Sequence, residues 1–179
     1  MTRKLSLISS LAIAGVFATI SIAAQNPPPG GPAGQAQPPK QSIDLATAKK
    51  MVAAAEAAAT AANAHVAISI VDANGELVCF ERMDGAALRP VTTSQGKARA
   101  ALLFGLPSKE VQDAMVAGKP ISATLTAPVA GAWELTIQQG GLPILKDGKV
   151  VAAIGCGGSA SAMDEKFAQA GIDAISANK

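Results

Sequence analysis

The sequence predicts an α+β domain in which antiparallel hairpins build one sheet and helices stand in blocks around it. Three observations lead there. Two pairs of apolar runs each close on a tight-turn signal, Asn74-Gly75 and Asp147-Gly148, residues that tolerate positive φ. Alanine-rich stretches with apolar residues at helical spacing precede, separate and follow these hairpins. The resulting order is helix, two strands, two helices, three strands, helix, which does not alternate as a doubly wound sheet requires.

The first helix is predicted over Ile43–Ala62, where Leu45, Ala48, Val52, Ala55 and Ala59 recur on one face. Ser42 or Asp44 is placed to cap it, and Asn63 falls where it stops. HVAISIVD reads as a buried strand and ELVCFERM as its partner across Ala73-Asn74-Gly75. Val91–Phe104 is helical, with Ala98, Ala101 and Leu102 on its apolar side and Thr92 or Thr93 as capping residues. Pro107-Ser108 opens a short helix, SKEVQDAMV, that ends at Gly118. Residues 119–131 are small, polar and proline-broken, a loop. AWELTIQ, residues 132–138, is predicted to be a strand, and ILKD with GKVVAAIG a closing hairpin. The last helix runs from about Ala162 to Ile175, with Ser161 as N-cap and Asp164 three residues on, favourable to the helix dipole.

The chain before this domain has a different character. Arg3 and Lys4 precede an apolar run from Leu5 to Ala24 that no acidic residue interrupts, and Ser21-Ile22-Ala23 supplies a small-x-small cleavage pattern. Residues 1–24 read as a secretory signal peptide, with an uncleaved membrane anchor as the alternative. Residues 25–40, NPPPGGPAGQAQPPK with its preceding Gln25, carry no apolar anchor able to offset the entropy of ordering, and read as a Pro/Gly-rich disordered linker. The folded domain is residues 41–179, and a periplasmic or secreted location is expected, without membrane contact once the signal is removed.

Charge and residue counts exclude several classes. Arg3 and Lys4 account for the whole excess of 15 basic over 13 acidic residues, so the chain beyond the signal is formally neutral. With 3% aromatic residues and no basic cluster, it lacks the footprint of a nucleic-acid binder. One histidine, His65, and two cysteines, Cys79 and Cys156, provide neither a CxxC motif nor a zinc ligand set, and no GxSxG motif accompanies the histidine. Gly155-Cys156-Gly157-Gly158, after a strand and before a helix, has the outline of a phosphate cradle. Its position at the last strand, its GxGG spacing and the lack of a following Lys-Ser or Lys-Thr argue against one.

VDANGELVCFERMDGAAL, Val71–Leu88, resembles the signature of the GlcG/HbpS-like haem-binding family, in which a valine-aspartate-x-x-glycine hairpin leads to arginine-methionine-aspartate-glycine-alanine. Lys97-Ala98 falls where that family has a lysine-alanine pair. GGLPILKDGKVVAAIGCGG with DEKFAQAGI, within Gly140–Ile172, resembles its C-terminal signature. The resemblance covers about Ile43 to Ile175. It implies a profilin-like α/β/α sandwich on a five-stranded antiparallel sheet of order 2-1-5-4-3, assembly into homo-oligomers, and binding of haem or a related tetrapyrrole, with kinship to corrinoid-associated domains. Two positions depart from the pattern. The glycine loop reads Gly-Cys-Gly-Gly rather than glycine-valine-serine-glycine, and Ala152 stands where a glycine is frequent.

The implied strand order separates Cys79 from Cys156 by one intervening strand, about 10 Å at the usual ~4.8 Å spacing. A disulfide needs Cα atoms within about 7 Å, so both thiols are expected free, with Cys156 facing the core. His65 is the candidate axial haem ligand, against a solvent-facing residue at the start of a strand. Met83 and Met115 are softer candidates, against core filling. Arg82, Asp84, Lys97 and Arg99 are candidates for carboxylate or ligand contact, against solvated residues or an Arg82 ion pair with Asp84 or Asp72. Gly155, Gly157 and Gly158 are candidates for close backbone approach to a ligand. The function expected is an exported, oligomeric small-molecule-binding protein for haem or another tetrapyrrole. The alternative is an enzyme or accessory factor of a catabolic pathway, acting on a small organic acid through Arg82, Asp84 and Lys97.

Overall fold

The computed structural model describes residues 43–124 and 134–176. The signal peptide and linker readings, the loop residues after Thr124 and the start of the 132–138 run lie outside them.

Helix α1, Leu45–Ala61, starts on Asp44, whose carboxylate accepts the Thr47 N–H at 2.7 Å. It stops at Ala62, beyond which Asn63 turns left-handed at φ 53°. Strands β1, Ala67–Asp72, and β2, Leu77–Arg82, form the first hairpin, with Asp72 accepting the Asn74 and Glu76 amides to close the turn. Helix α2, Arg89–Phe104, begins two residues earlier than predicted because Pro90 occupies its first turn, where a missing N–H costs nothing. Leu88 precedes it with no side-chain cap, so Thr92 and Thr93 lie within the helix and do not cap it. Helix α3, Ser108–Val116, follows. Strands β3, Gly141–Lys146, and β4, Lys149–Gly157, meet at Asp147-Gly148, both at positive φ. Helix α4, Ser161–Ser176, closes the domain, with Ser161 its first residue rather than its cap.

The sheet is antiparallel, with order β2-β1-β4-β3. Among the described residues it has four strands, not five. Glu134–Gln138 is irregular, and its backbone is satisfied differently: the Ser108 hydroxyl donates to Gln138 O at 2.7 Å and accepts the Gly141 N–H at 2.9 Å. With that run removed, the remaining strand order is the one the resemblance implies.

Strand alternation divides the residues between two faces. Ile68, Ile70, Ile144, Ile154 and Cys156 meet Met51, Val52 and Ala55 of α1 and Phe167 and Ala168 of α4, the larger core. Val71 and Ala153 face Ala98, Ala101 and Leu102 of α2 on the other side. The described domain is therefore three layers, α1/α4, sheet, and α2, with α3 packed beside α2.

Candidate functional site

One end of the sheet gathers most of the chemistry-bearing residues. The ladder aligns Arg82 of β2, Ala67 of β1 and Gly157 of β4 in a single row. Directly paired residues point to the same face. Ala67 shares its face with Ser69, whose hydroxyl pairs with that of Ser94 in α2 at 2.7 Å. The row therefore lies on the α2 side, beneath the first turns of that helix.

Strand β4 continues two residues further than predicted. Gly155 and Gly157 belong to the strand, and the chain leaves the sheet at Gly158, with φ +129°. A β-carbon on Gly157 would lie 3.0 Å from Thr93 Oγ1, and one on Gly158 would lie 2.7 Å from the His65 carbonyl oxygen. His65 itself is exposed. Its ring rests over the turn that follows β2, where a β-carbon on Gly85 would stand 3.2 Å from Nδ1. The Met83 N–H donates to Val66 O, and Ala86 N–H to Met83 O, so strand and turn are held against one another. Arg82, Asp84 and Arg89 are exposed at this end, and Leu88 shows 76% of its surface.

The other predicted residues lie elsewhere. Lys97 is buried in mid-helix, and its Nζ donates to Asp164 Oδ2 at 2.8 Å, both side chains being at most 3% exposed. Asp164 Oδ1 accepts the Ser159 N–H at 3.0 Å. Gly140 closes over this pair: a β-carbon there would lie within 2.9 Å of Lys97 Nζ, Asp164 Cβ and Cys156 O. Arg99 Nε donates to Gly75 O at the far hairpin, 3.2 Å away. The face of Gly155 is filled by α2, since a β-carbon would lie 2.1 Å from Ser94 O. Met83 packs on the core, and Met115 is exposed on α3.

Cys156 is buried and pairs in register with Ile68. Cys79 pairs with Ile70 on the opposite side of β1, and both thiols are free, as the strand order implied. Burial pushes the Cys156 thiol strongly upward, the nearby Asp164 charge adds to the effect, and Lys97 opposes it. This is an inert thiol. Asp164 is the partner that sequence reasoning missed, because it stands 67 positions from Lys97. A signal did exist: Ser94, Lys97 and Ala101 fall at i, i+3 and i+7, on one side of the helix beside the buried Ala98.

Among the described residues, no group of three or more His, Cys, Asp or Glu side chains is placed to hold a metal ion. None of the described helices is long and apolar enough to cross a membrane. An open depression of about 250 Å³ lies at the opposite end of the sheet, lined by Ile43, Thr47, Ile144, Val151 and Ile175. It is remote from His65, and its one carboxylate, Asp44, is engaged as the cap of α1.

Helices on both faces of a small antiparallel sheet define an α/β/α sandwich domain. The chain belongs to the HbpS-like family: the model described as "Haem degrading protein HbpS-like" matches residues 43–173. The uncharacterised 15.0 kDa protein of the dhaT-dhaS intergenic region of Citrobacter freundii is 33% identical over 135 residues, covering 75% of this chain and 93% of that protein. Protein GlcG of Escherichia coli K12 is 33% identical over 108 residues, covering 60% of this chain and 75% of GlcG. A crystal structure of a Streptomyces reticuli HbpS double mutant superposes with TM-score 0.67 at 26% identity, over 84% of this chain and 98% of that one. The family expected from the sequence is thus the family found.

Proposed function

We propose that this protein is an exported, oligomeric binding protein for haem or a related tetrapyrrole, held at the end of the sheet where Arg82, Ala67 and Gly157 align. The observation that carries the reading is the placement of the chain's one histidine. His65 presents an exposed imidazole over the Gly85 turn, with its main chain against Gly158. Family membership supplies the ligand class.

The residues fit the group. His65 offers an imidazole for iron, the usual axial donor. Arg82, on the α2 face of the row, and Arg89 are exposed cations suited to propionate carboxylates. Leu88 offers an exposed apolar surface to the macrocycle. Asp84 borders the His65 turn, and Gly158 is exposed where the chain leaves the sheet, whereas Gly157 is buried against Thr93 and Pro90 and offers no backbone to a ligand. Lys97 and Gly155 lie behind this surface, where α2 packs on the sheet, and Arg99 is engaged at the far hairpin. When bound, haem would supply iron-centred chemistry; the residues named here bind and orient it.

This surface covers one side of a flat ligand only. A second copy of the chain would cover the other, which supports an oligomer with the ligand at a subunit-facing position. Export rests on the Arg3-Lys4 start, the Leu5–Ala24 run and the linker to residue 40, which predict a periplasmic or secreted protein.

Hemin titration of the purified protein tests the reading. A red-shifted, saturable Soret band at micromolar hemin is expected for the wild type, with its position altered in His65→Ala. A wild-type spectrum equal to free hemin would refute haem binding. An unchanged shift in His65→Ala would remove the imidazole from the iron.

A further inference from the structure

A buried ion pair is a poor way to stabilise a small core, since an apolar pair of similar volume often serves as well or better. Lys97 and Asp164 are such a pair, with side chains 3% and 2% exposed. What an apolar pair cannot do is accept the Ser159 amide, and Asp164 does this with its second oxygen at 3.0 Å. Ser159 is itself exposed and directly follows Gly157 and Gly158. Those two glycines leave room for Thr93, Pro90 and the His65 main chain, and Gly158 holds φ +129°. Gly157 is held in the β4 ladder, and the exposed Gly158 that follows it has no side chain to fix the exit. Its far end is pinned by one carboxylate, and that carboxylate is aimed by one ammonium.

Gly140 completes the arrangement. Its missing side chain lets the chain before β3 pass directly over Lys97 Nζ and Asp164, and its carbonyl accepts the Cys156 N–H at 2.9 Å. Among the described residues the pair is buried beneath Gly140, and its hydrogen bond toward the sheet end is the one to the Ser159 N–H.

We propose that Asp164, held by Lys97, is a positioning residue for the ligand end of the sheet: it fixes where the Gly157–Ser159 exit presents its backbone beside His65 and the first turn of α2. The consequence for binding rests on the function proposed above; the anchoring of the exit does not.

Two double variants separate anchoring from charge. Lys97→Met with Asp164→Asn removes both charges and keeps a side-chain oxygen for the Ser159 N–H. Lys97→Met with Asp164→Leu removes the charges and the acceptor together. In the wild type, the Ser159 amide should exchange at least about 100-fold more slowly than in an unstructured peptide, although the residue is exposed. In the leucine variant that protection should fall by about 10-fold or more, and hemin affinity by about 10-fold or more. In the asparagine variant both should stay within about 3-fold of wild type. Free-peptide exchange at Ser159 in the wild type overturns the proposal, as does a leucine variant that matches wild type in exchange and in affinity. If neither double variant folds, wild-type Ser159 exchange decides. If wild-type protein leaves the hemin spectrum unchanged, the haem reading fails by itself and the exchange measurements still decide the anchoring.

Discussion

The two faces of the sheet are packed by different means. Toward α1 and α4 the contact is made by side chains: Ile68, Ile70 and Ile154 interdigitate with Met51, Val52 and Phe167. Toward α2 it is made largely by backbone. β-carbons on Gly155 and Gly141 would lie 2.1 Å from Ser94 O and 2.2 Å from Lys97 O. The Ser69–Ser94 hydroxyl pair at 2.7 Å fits in the narrow space between. An interface of long side chains adjusts to a change in volume by shifting rotamers, whereas backbone against backbone has nothing to shift. The α2 face is consequently the one that fixes a geometry, and the row ending at Arg82, Ala67 and Gly157 lies on it.

Neighbouring positions test this contrast most directly. Gly155→Ala adds one methyl group toward α2 and should cost about 3 kcal/mol or more, the upper part of the range for overpacking, because the obstructing atoms are backbone. Ile154→Val removes one methylene toward α1 and α4 and should cost about 0.5–1.5 kcal/mol. Urea denaturation of both variants measures the difference; similar costs would mean that the two faces are equally adaptable. Between these in kind stands Lys97→Met, which leaves Asp164 buried without its cation and should cost about 3–5 kcal/mol. The Met/Asn double variant should recover most of that loss, a comparison that separates an orphaned charge from lost packing.

The α1/α4 face was the more legible in the sequence, for the same physical reason. Its signal is apolar periodicity, and the Leu45-to-Ala59 pattern placed α1 to within two residues at its start and one at its end. The hairpin turns were legible because Asn74-Gly75 and Asp147-Gly148 are local requirements of positive φ. The α2 face is written in small residues, whose sequence meaning is ambiguous. Gly155 and Gly157 resemble a loop, yet they are strand residues cleared for a helix. Lys97 resembles a solvated helix residue because its partner stands 67 positions away in the sequence. The 132–138 run has strand-like alternation, but at Glu134–Gln138 the Ser108 hydroxyl and the close fit of Thr136 against Gly96 take the place of a ladder. At the sheet end, His65 and Arg82 were legible as residue types, and their alignment with Gly157 came only from strand order and register.

The smallest expected effect lies at the rim of the side-chain face. Glu81 is paired with Ile68, so it points toward α1, where it meets Glu56. Its carboxyl is raised above the usual 4.5, first by partial burial, then by the Glu56 charge and a hydrogen bond with that carboxyl. A carboxyl raised on folding binds its proton more tightly in the native state, so it contributes stability below about pH 4.5 and loses that contribution as pH rises through the folded value. Where Glu81 is ionised, the Glu56 charge opposes it and the contact is repulsive. Glu81→Gln should therefore raise stability at about pH 7 by no more than a few tenths of a kcal/mol, the group being largely solvated. The gain should shrink as pH is lowered from about 7 toward about 4 and Glu81 takes up its proton, coming to resemble the amide. Melting temperatures of both proteins across that interval measure it. A difference independent of pH would mean that the two carboxyls do not interact, and that this rim of the adaptable face has already relaxed them apart.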